Sequence, residues 1–269
     1  MGLLNRLTKL LISLVFFRVM LILNFFYQAM GKKQKGLCSV LLYHSVAALD
    51  RERFARQMDI LLTLATPVDI AKPNPEIIQG RQVAVTFDDG LQSFKENALS
   101  ELVKRRIPVA LFVPSRRLGK RLSAYDEETV MDQAELLNLP MDVVTIGSHS
   151  QTHAHLTWID QDTAAKEITG SRNDLETIFG RPITLFAFPY GEYNDQILTL
   201  ARQAGYFRVF SIFPTGKDDF LCGRIIACPK DWVIEFKLKV LGAYRWLRLA
   251  VFLKQQLKKL FFLQDKNTF

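Results

Sequence analysis

Three apolar, β-branched runs limit how this chain can fold. They occupy residues 83–87, 143–146 and 183–188, and each ends in a turn rich in chemically active side chains. Strands that are apolar on consecutive residues are buried on both faces, as in parallel sheets covered by helices. Segments of helical spacing lie between them. In 51–64, Phe54, Met58, Leu61 and Leu62 form one core stripe. The pattern predicts strands at 38–46, 83–87, 107–113, 143–147, 183–188 and 206–212. It predicts helices near 51–64, 92–105, 162–178 and 194–203, an α/β alternation. A Pro-rich loop covers 70–82, and an acidic helix or loop covers 125–138.

The first run ends in Asp88-Asp89-Gly90. Aspartates are poor strand residues, and Gly90 frees the backbone to turn, so the two carboxylates can converge. One can then ligate a cation while the other stays free as a general base on bound water. The same tripeptide also suits a solvated turn. The second run leads to His149 and His153. One helical turn would bring both rings to one side, with Ser148 as its cap. Three of the four histidines fall at 149, 153 and 155. Two imidazoles and one carboxylate suit zinc and leave positions for water, as catalytic sites do. The third run ends in Pro189-Tyr190-Gly191, which either aims a backbone N–H at a developing oxyanion or is a plain strand exit.

Thr86-Phe87-Asp88-Asp89-Gly90, His149-Ser150-Gln151-Thr152-His153 and Pro189-Tyr190-Gly191 resemble, in order, three motifs of the polysaccharide deacetylase family (the NodB-homology domain of carbohydrate esterase family four). The resemblance spans 37–232. It implies a distorted (β/α) barrel with its site at the C-terminal strand ends. It implies that Asp89, His149 and His153 hold one divalent metal, zinc by preference, and that Asp88 is the general base. The oxyanion would be shared between metal and Tyr190 N–H. The implied reaction removes an N-acetyl group from an amino sugar; deformylation of a lipid-linked sugar is the related alternative.

Two departures stand out. Ala187 occupies the place of the arginine that orients the base in this family, with Arg181 and Arg224 as candidate replacements. No histidine follows His155, where the family often has its general acid. His44, His155 and protonated Asp88 are candidates for that role. Asp231-Trp232 resembles the end of a fourth motif, making Trp232 a candidate wall of the acetyl pocket and, with Pro189, a candidate substrate contact. These departures favour a non-enzymatic alternative, an impaired glycan-binding or scaffold barrel. The complete ligand set with a free base argues against it.

The net charge of +8 sits at the ends. Residues 1–36 hold six Lys or Arg and no acid, and residues 233–269 hold eight against two acids, leaving −4 for the 37–232 body. Both ends are also apolar, which is the footprint of an anionic membrane surface rather than a nucleic-acid partner. Residues 10–27 are long enough to span a bilayer, but Arg18 interrupts them at about 2.5–3.5 kcal/mol. An in-plane anchor is the preferred reading. Lys32, Lys33 and Lys35 favour the cytoplasmic side of the inner membrane for the domain that follows. Residues 233–241 read as a barrel-capping helix and 245–263 as a membrane-surface segment. The expected substrate is therefore a lipid-linked or cell-envelope glycan, such as a lipopolysaccharide precursor. Three cysteines without a C-x-x-C pair make no disulfide framework.

Overall fold

The computed structural model describes residues 2–31, 37–72, 80–123, 128–212, 219–247 and 250–251. Most of the expected C-terminal surface segment lies outside them, as do Lys32, Lys33 and Lys35.

Strand β1 (Leu37–Tyr43) is followed by the two-residue β2 (Thr66–Pro67) and by β3 (Arg81–Phe87). Strands β1 and β3 pair in parallel along their whole length, Leu37 opposite Arg81 and Tyr43 opposite Phe87. The sheet continues through β4 (Val109–Val113), β5 (Val144–Ser148), β6 (Leu185–Ala187), β7 (Arg208–Ile212) and β8 (Leu221–Ile226). β8 returns to β1 at Leu41 and Leu42, closing seven parallel strands into a barrel. β2 fills the lower edge of β3, below the point where β4 joins it at Val85. The shortest seam is β5 with β6, a single pair of Ser148 with Phe186. The expected strands appear with ends shifted by up to three residues; β2 and β8 are additions.

Alternate strand residues face opposite ways, as the pleat requires. Val40, Ala84, Ala110, Phe112, Leu185, Ala187 and Phe210 fill the barrel interior, while Leu41, Val85, Leu111, Ile146 and Val209 pack toward the helices. Gly147 is needed for this filling, since a Cβ there would meet the Phe112 ring at 2.5 Å.

A long helix, α1 (Leu3–Ala29), precedes the barrel, and α2 (Arg51–Leu64) buries Phe54, Met58 and Leu61 of the predicted stripe, with Gln57 in place of Leu62, which is exposed. The expected helix at 92–105 is a π-turn at Phe94–Ala98 running into α3 (Leu99–Lys104). The short α4 (Gln133–Leu137) starts with an Asp132–Glu135 capping box. α5 (Gln161–Phe179) is capped by Asp160 and ends at Gly180 in the left-handed region. α6 (Asp195–Gln203) is capped by Asn194. α7 (Val233–Val240) buries Phe236, Leu238 and Val240, the capping role read from the sequence.

Helix α1 is tied to α7 and its surroundings. Arg6 Nε donates to Glu235 Oε2 at 2.8 Å and Arg6 Nη2 donates to the Lys230 carbonyl. Trp246 Nε1 donates to Ser13 Oγ at 2.8 Å, and Arg81 lies over the Phe17 ring. Lys230 and Glu235 follow the C-terminal end of β8, whereas Arg81 begins β3. The helix therefore runs down the barrel wall from the site end to the opposite end. Leu4, Leu11, Val15, Val19, Ile22 and Phe26 recur at helical spacing on its outward face, all exposed.

Candidate metal centre

All three motifs lie at the C-terminal ends of strands β3, β5 and β6. Among the described residues, five non-glycine positions have positive φ, and four belong to the motifs: Asp89 (71°), Ser150 (62°), His153 (63°) and Tyr190 (59°). Left-handed backbone at non-glycine residues costs energy and collects where function demands a particular geometry.

The second motif corrects an expectation. Residues 149–160 contain no helix, and Ser148 is the last residue of β5 rather than a cap. The two histidines converge through a loop with left-handed turns at Ser150 and His153. Ser150 Oγ accepts from His153 N–H at 3.0 Å. A buried carboxylate from α5 secures the loop: Glu167 Oε2 accepts from Gln151 N–H and Thr152 N–H at 2.9 and 2.8 Å, and its Oε1 accepts from Thr152 Oγ1. Asp174 adds bonds from Ser115 Oγ and Gln151 Nε2. Charge-assisted bonds of this kind contribute about 1.5–3 kcal/mol each. Glu167→Ala is therefore expected to loosen the loop and weaken metal affinity by about 10–100-fold, the range for residues supporting a ligand. Metal titration of the variant would check this, and an unchanged affinity would refute it.

Asp89, His149 and His153 bring one donor atom each within 4.8 Å of one another. Asp89 Oδ1 lies 3.5 Å from His149 Nε2 and 3.3 Å from His153 Nε2. Donors about 2.0–2.1 Å from a tetrahedral ion lie roughly 3.3–3.4 Å apart, so these two edges fit a zinc-sized cation. Asp89 Oδ1 is also a buried acceptor without a hydrogen bond. Such an atom needs a partner, and a cation at this point supplies one. His149 Nδ1 lies 2.7 Å from the Ala187 carbonyl oxygen, which obliges Nδ1 to carry the proton and leaves the Nε2 lone pair facing Asp89.

Burial pushes the His149 imidazole from its ordinary 6.5 down to about 4, against the pull of Asp88. The ring is thus a neutral ligand at neutral pH. Burial pushes the Asp89 carboxyl up, but the His153 ring beside it and electrostatic attraction to the His149, His153 and His44 rings outweigh this and hold it below its usual range. His149 has a consequence for stability. The unfolded chain takes up its proton near pH 6.5, whereas the folded chain resists until about 4. Acid therefore favours unfolding across that window, by up to about 3 kcal/mol at its lower end. The Tm of chelator-treated protein should fall as pH drops from 6.5 to 4, with a shallower slope in His149→Asn. Parallel slopes would refute this.

Asp88 is held beside the triad, with Oδ2 3.9 Å from His149 Nε2. Arg224, fully buried on β8, grips it with a two-pronged contact: Nη1 donates to Oδ1 at 2.6 Å and Nη2 to Oδ2 at 2.7 Å. The guanidinium lies over the Phe112 and Phe210 rings, 5.3 and 5.8 Å from their centroids. Ala187 belongs to the same interior cluster. Arg224, one of the two candidate replacements, is thus the arginine that meets Asp88. Arg181 is elsewhere, against Met141 Sδ.

A cavity of about 460 Å³ opens over these groups, within the usual range for small-molecule sites. His44, Asp88, Asp89, His149, His153, His155 and Tyr190 line it. His44 is exposed at the end of β1, so it is not a core histidine. His155 stacks on Tyr190 and approaches Glu192. Pro189 is buried at the start of its turn, and neither it nor Trp232 lines the cavity. The Trp232 ring instead carries Arg6 at 4.2 Å. Its neighbour Asp231 accepts from Lys239 Nζ.

The pattern of the polysaccharide deacetylase family matches residues 78–209. The peptidoglycan-N-acetylmuramic acid deacetylase PdaC of Bacillus subtilis is 30% identical over 130 residues, 48% of this chain and 26% of that protein. The chitooligosaccharide deacetylase of Azorhizobium caulinodans is 27% identical over 128 residues, 46% of this chain and 54% of that one. The chain spans about half or less of the length of the curated relatives it matches. IcaB from Ammonifex degensii shares the fold, with a TM-score of 0.65 at 22% identity over 78% of this chain and 98% of that one. Motif order, closed parallel barrel and family match agree, and through the domain at 78–209 this chain belongs to the polysaccharide deacetylase family.

Proposed function

We propose that this chain is a metal-dependent N-deacetylase of an amino sugar, acting on a cell-envelope glycan or a lipid-linked precursor at the cytoplasmic membrane surface. The observation that carries this reading is the pairing of a three-donor site (Asp89, His149, His153) with a carboxylate, Asp88, gripped beside it but outside the donor set. A bound divalent ion, zinc by its donors, would polarise the acyl carbonyl and acidify a water. Asp88 takes the proton from the attacking water, held in position by Arg224. The Tyr190 N–H receives the developing oxyanion. His44, at the cavity mouth, hands a proton to the departing amine. Arg224 also removes one reason to regard the barrel as impaired, since the missing arginine has a replacement.

The sugar class follows the relatives, whose names describe deacetylation of peptidoglycan and chitooligosaccharides. The test is zinc content together with acetate release from an undecaprenyl-phosphate N-acetylhexosamine and from chitooligosaccharides. One zinc per chain with acetate release, both lost in Asp89→Ala, is the expected result. A chain that binds no zinc would overturn it.

Membrane association rests on α1. It is long and apolar enough to cross a bilayer, but its first half is bonded to the barrel through Arg6 and Ser13. A helix lying along the barrel offers its outward apolar row to a lipid surface in the plane of the membrane. Replacing Leu11, Val15, Val19 and Ile22 by serine should release the protein from phosphatidylglycerol vesicles in a sedimentation assay. Undiminished sedimentation would rule out this face as the anchor.

A further inference from the structure

At the cavity wall, three rings form a column whose outermost member, Trp158, stands beyond the lining. His155 lies 3.6 Å from Tyr190, centroid to centroid, at an interplanar angle of 3°, and 4.1 Å from Trp158 at 9°. Tyr190 meets the His153 ring at 4.6 Å. The rings thus run from a proposed metal ligand out to the surface. Local bonds hold them. Trp158 N–H donates to the His155 carbonyl at 3.0 Å, closing a turn that sets side chains three apart face to face. His155 Nδ1 lies 3.1 Å from Glu192 Oε2, and Thr157 Oγ1 donates to the same oxygen at 3.4 Å. Yet the outermost ring, Trp158, is 74% exposed. Tryptophan is highly buried on average. Here an indole is stiffened from behind by two other rings and presents its outer face to solvent beside the cavity.

The geometry points to Trp158 as the platform of a second sugar subsite, taking the C–H face of a pyranose ring further along the glycan from the N-acetyl sugar in the cavity. The inference rests on the deacetylase reading and narrows its substrate to a chain of at least two sugars. The physical basis is the negative face of the indole, which attracts polarised C–H hydrogens. The stacked support matters because a side chain already fixed loses little rotamer freedom on binding. His155, through this stack, is a positioning residue for the platform.

The test uses the full zinc-loaded chain with β-1,4-linked N-acetylglucosamine oligomers of one to five units. Acetate release and calorimetric binding are measured for the parent, Trp158→Ala and Trp158→Phe. In the parent, kcat/KM should rise about tenfold from monomer to tetramer. Trp158→Ala should lose that gain and match the parent on the monomer, and Trp158→Phe should keep most of it. Equal rates on monomer and tetramer in the parent would overturn the subsite, as would an equal loss on both in Trp158→Ala. If no sugar releases acetate, binding decides. Tetramer binding that needs Trp158 supports the subsite and, where the undecaprenyl-phosphate N-acetylhexosamine also releases no acetate, removes the deacetylase reading, whereas a tetramer that does not bind removes the subsite. If Trp158→Ala weakens vesicle binding and leaves oligomers unaffected, the indole is a membrane contact and the subsite is overturned.

Discussion

Arg224→Met is expected to destabilise the chain by about 3–5 kcal/mol and to lower deacetylation by at least about a hundredfold. Asp88 and Arg224 are both buried, and the contacts at 2.6 and 2.7 Å engage both oxygens of the Asp88 carboxylate. Removing the cation leaves a buried carboxylate without its counter-charge, and the resulting penalty exceeds the net contribution of the intact pair. Arg224→Lys should recover part of the stability but little of the activity, because an ammonium cannot hold both oxygens in one plane. Denaturant unfolding and acetate release on the same preparations would check both halves. A variant as stable and active as the parent would show that Arg224 does not govern the base.

Asp88→Asn is expected to keep the metal and lose about 10²–10⁴-fold in kcat. The amide has nearly the same shape but cannot accept the proton of the attacking water. The three donor atoms belong to Asp89, His149 and His153, so zinc stoichiometry should stay at one per chain. This variant should also be destabilised, since Arg224 then becomes the unpaired buried charge. Combining Asp88→Asn with Arg224→Met should restore much of the stability without restoring activity, a double-mutant cycle that separates the two roles of the pair. Loss of zinc in Asp88→Asn would move Asp88 into the ligand set. Activity close to the parent's would remove it as base.

The sequence by itself determined the α/β alternation and the three motif positions. Short apolar β-branched runs bounded by turn residues read as buried strands, and the family resemblance placed the polar residues at their ends on one face of a barrel. Helices α2, α5 and α6 were legible in the alternating pattern, each within a residue or two of its predicted range. Strand β8 was not. Its run Leu221–Ile226 includes a glycine and an arginine, and Arg224 faces the interior where a strand pattern calls for an apolar residue. The signal was a charge inside an otherwise apolar run, a sign of a buried partner elsewhere.

Tertiary structure alone decided how the histidines converge and what completes the site. Spacing of four suggested a helix, but left-handed turns at Ser150 and His153, secured by Glu167 from α5, bring the rings together instead. It also decided which arginine meets Asp88, since these partners lie 136 positions apart and become neighbours only when the barrel closes. It moved Trp232 away from the cavity and under Arg6 of α1. Local pattern specifies which face of an element is apolar and where it ends. The pairing of two buried charges depends on barrel closure, which no local pattern encodes.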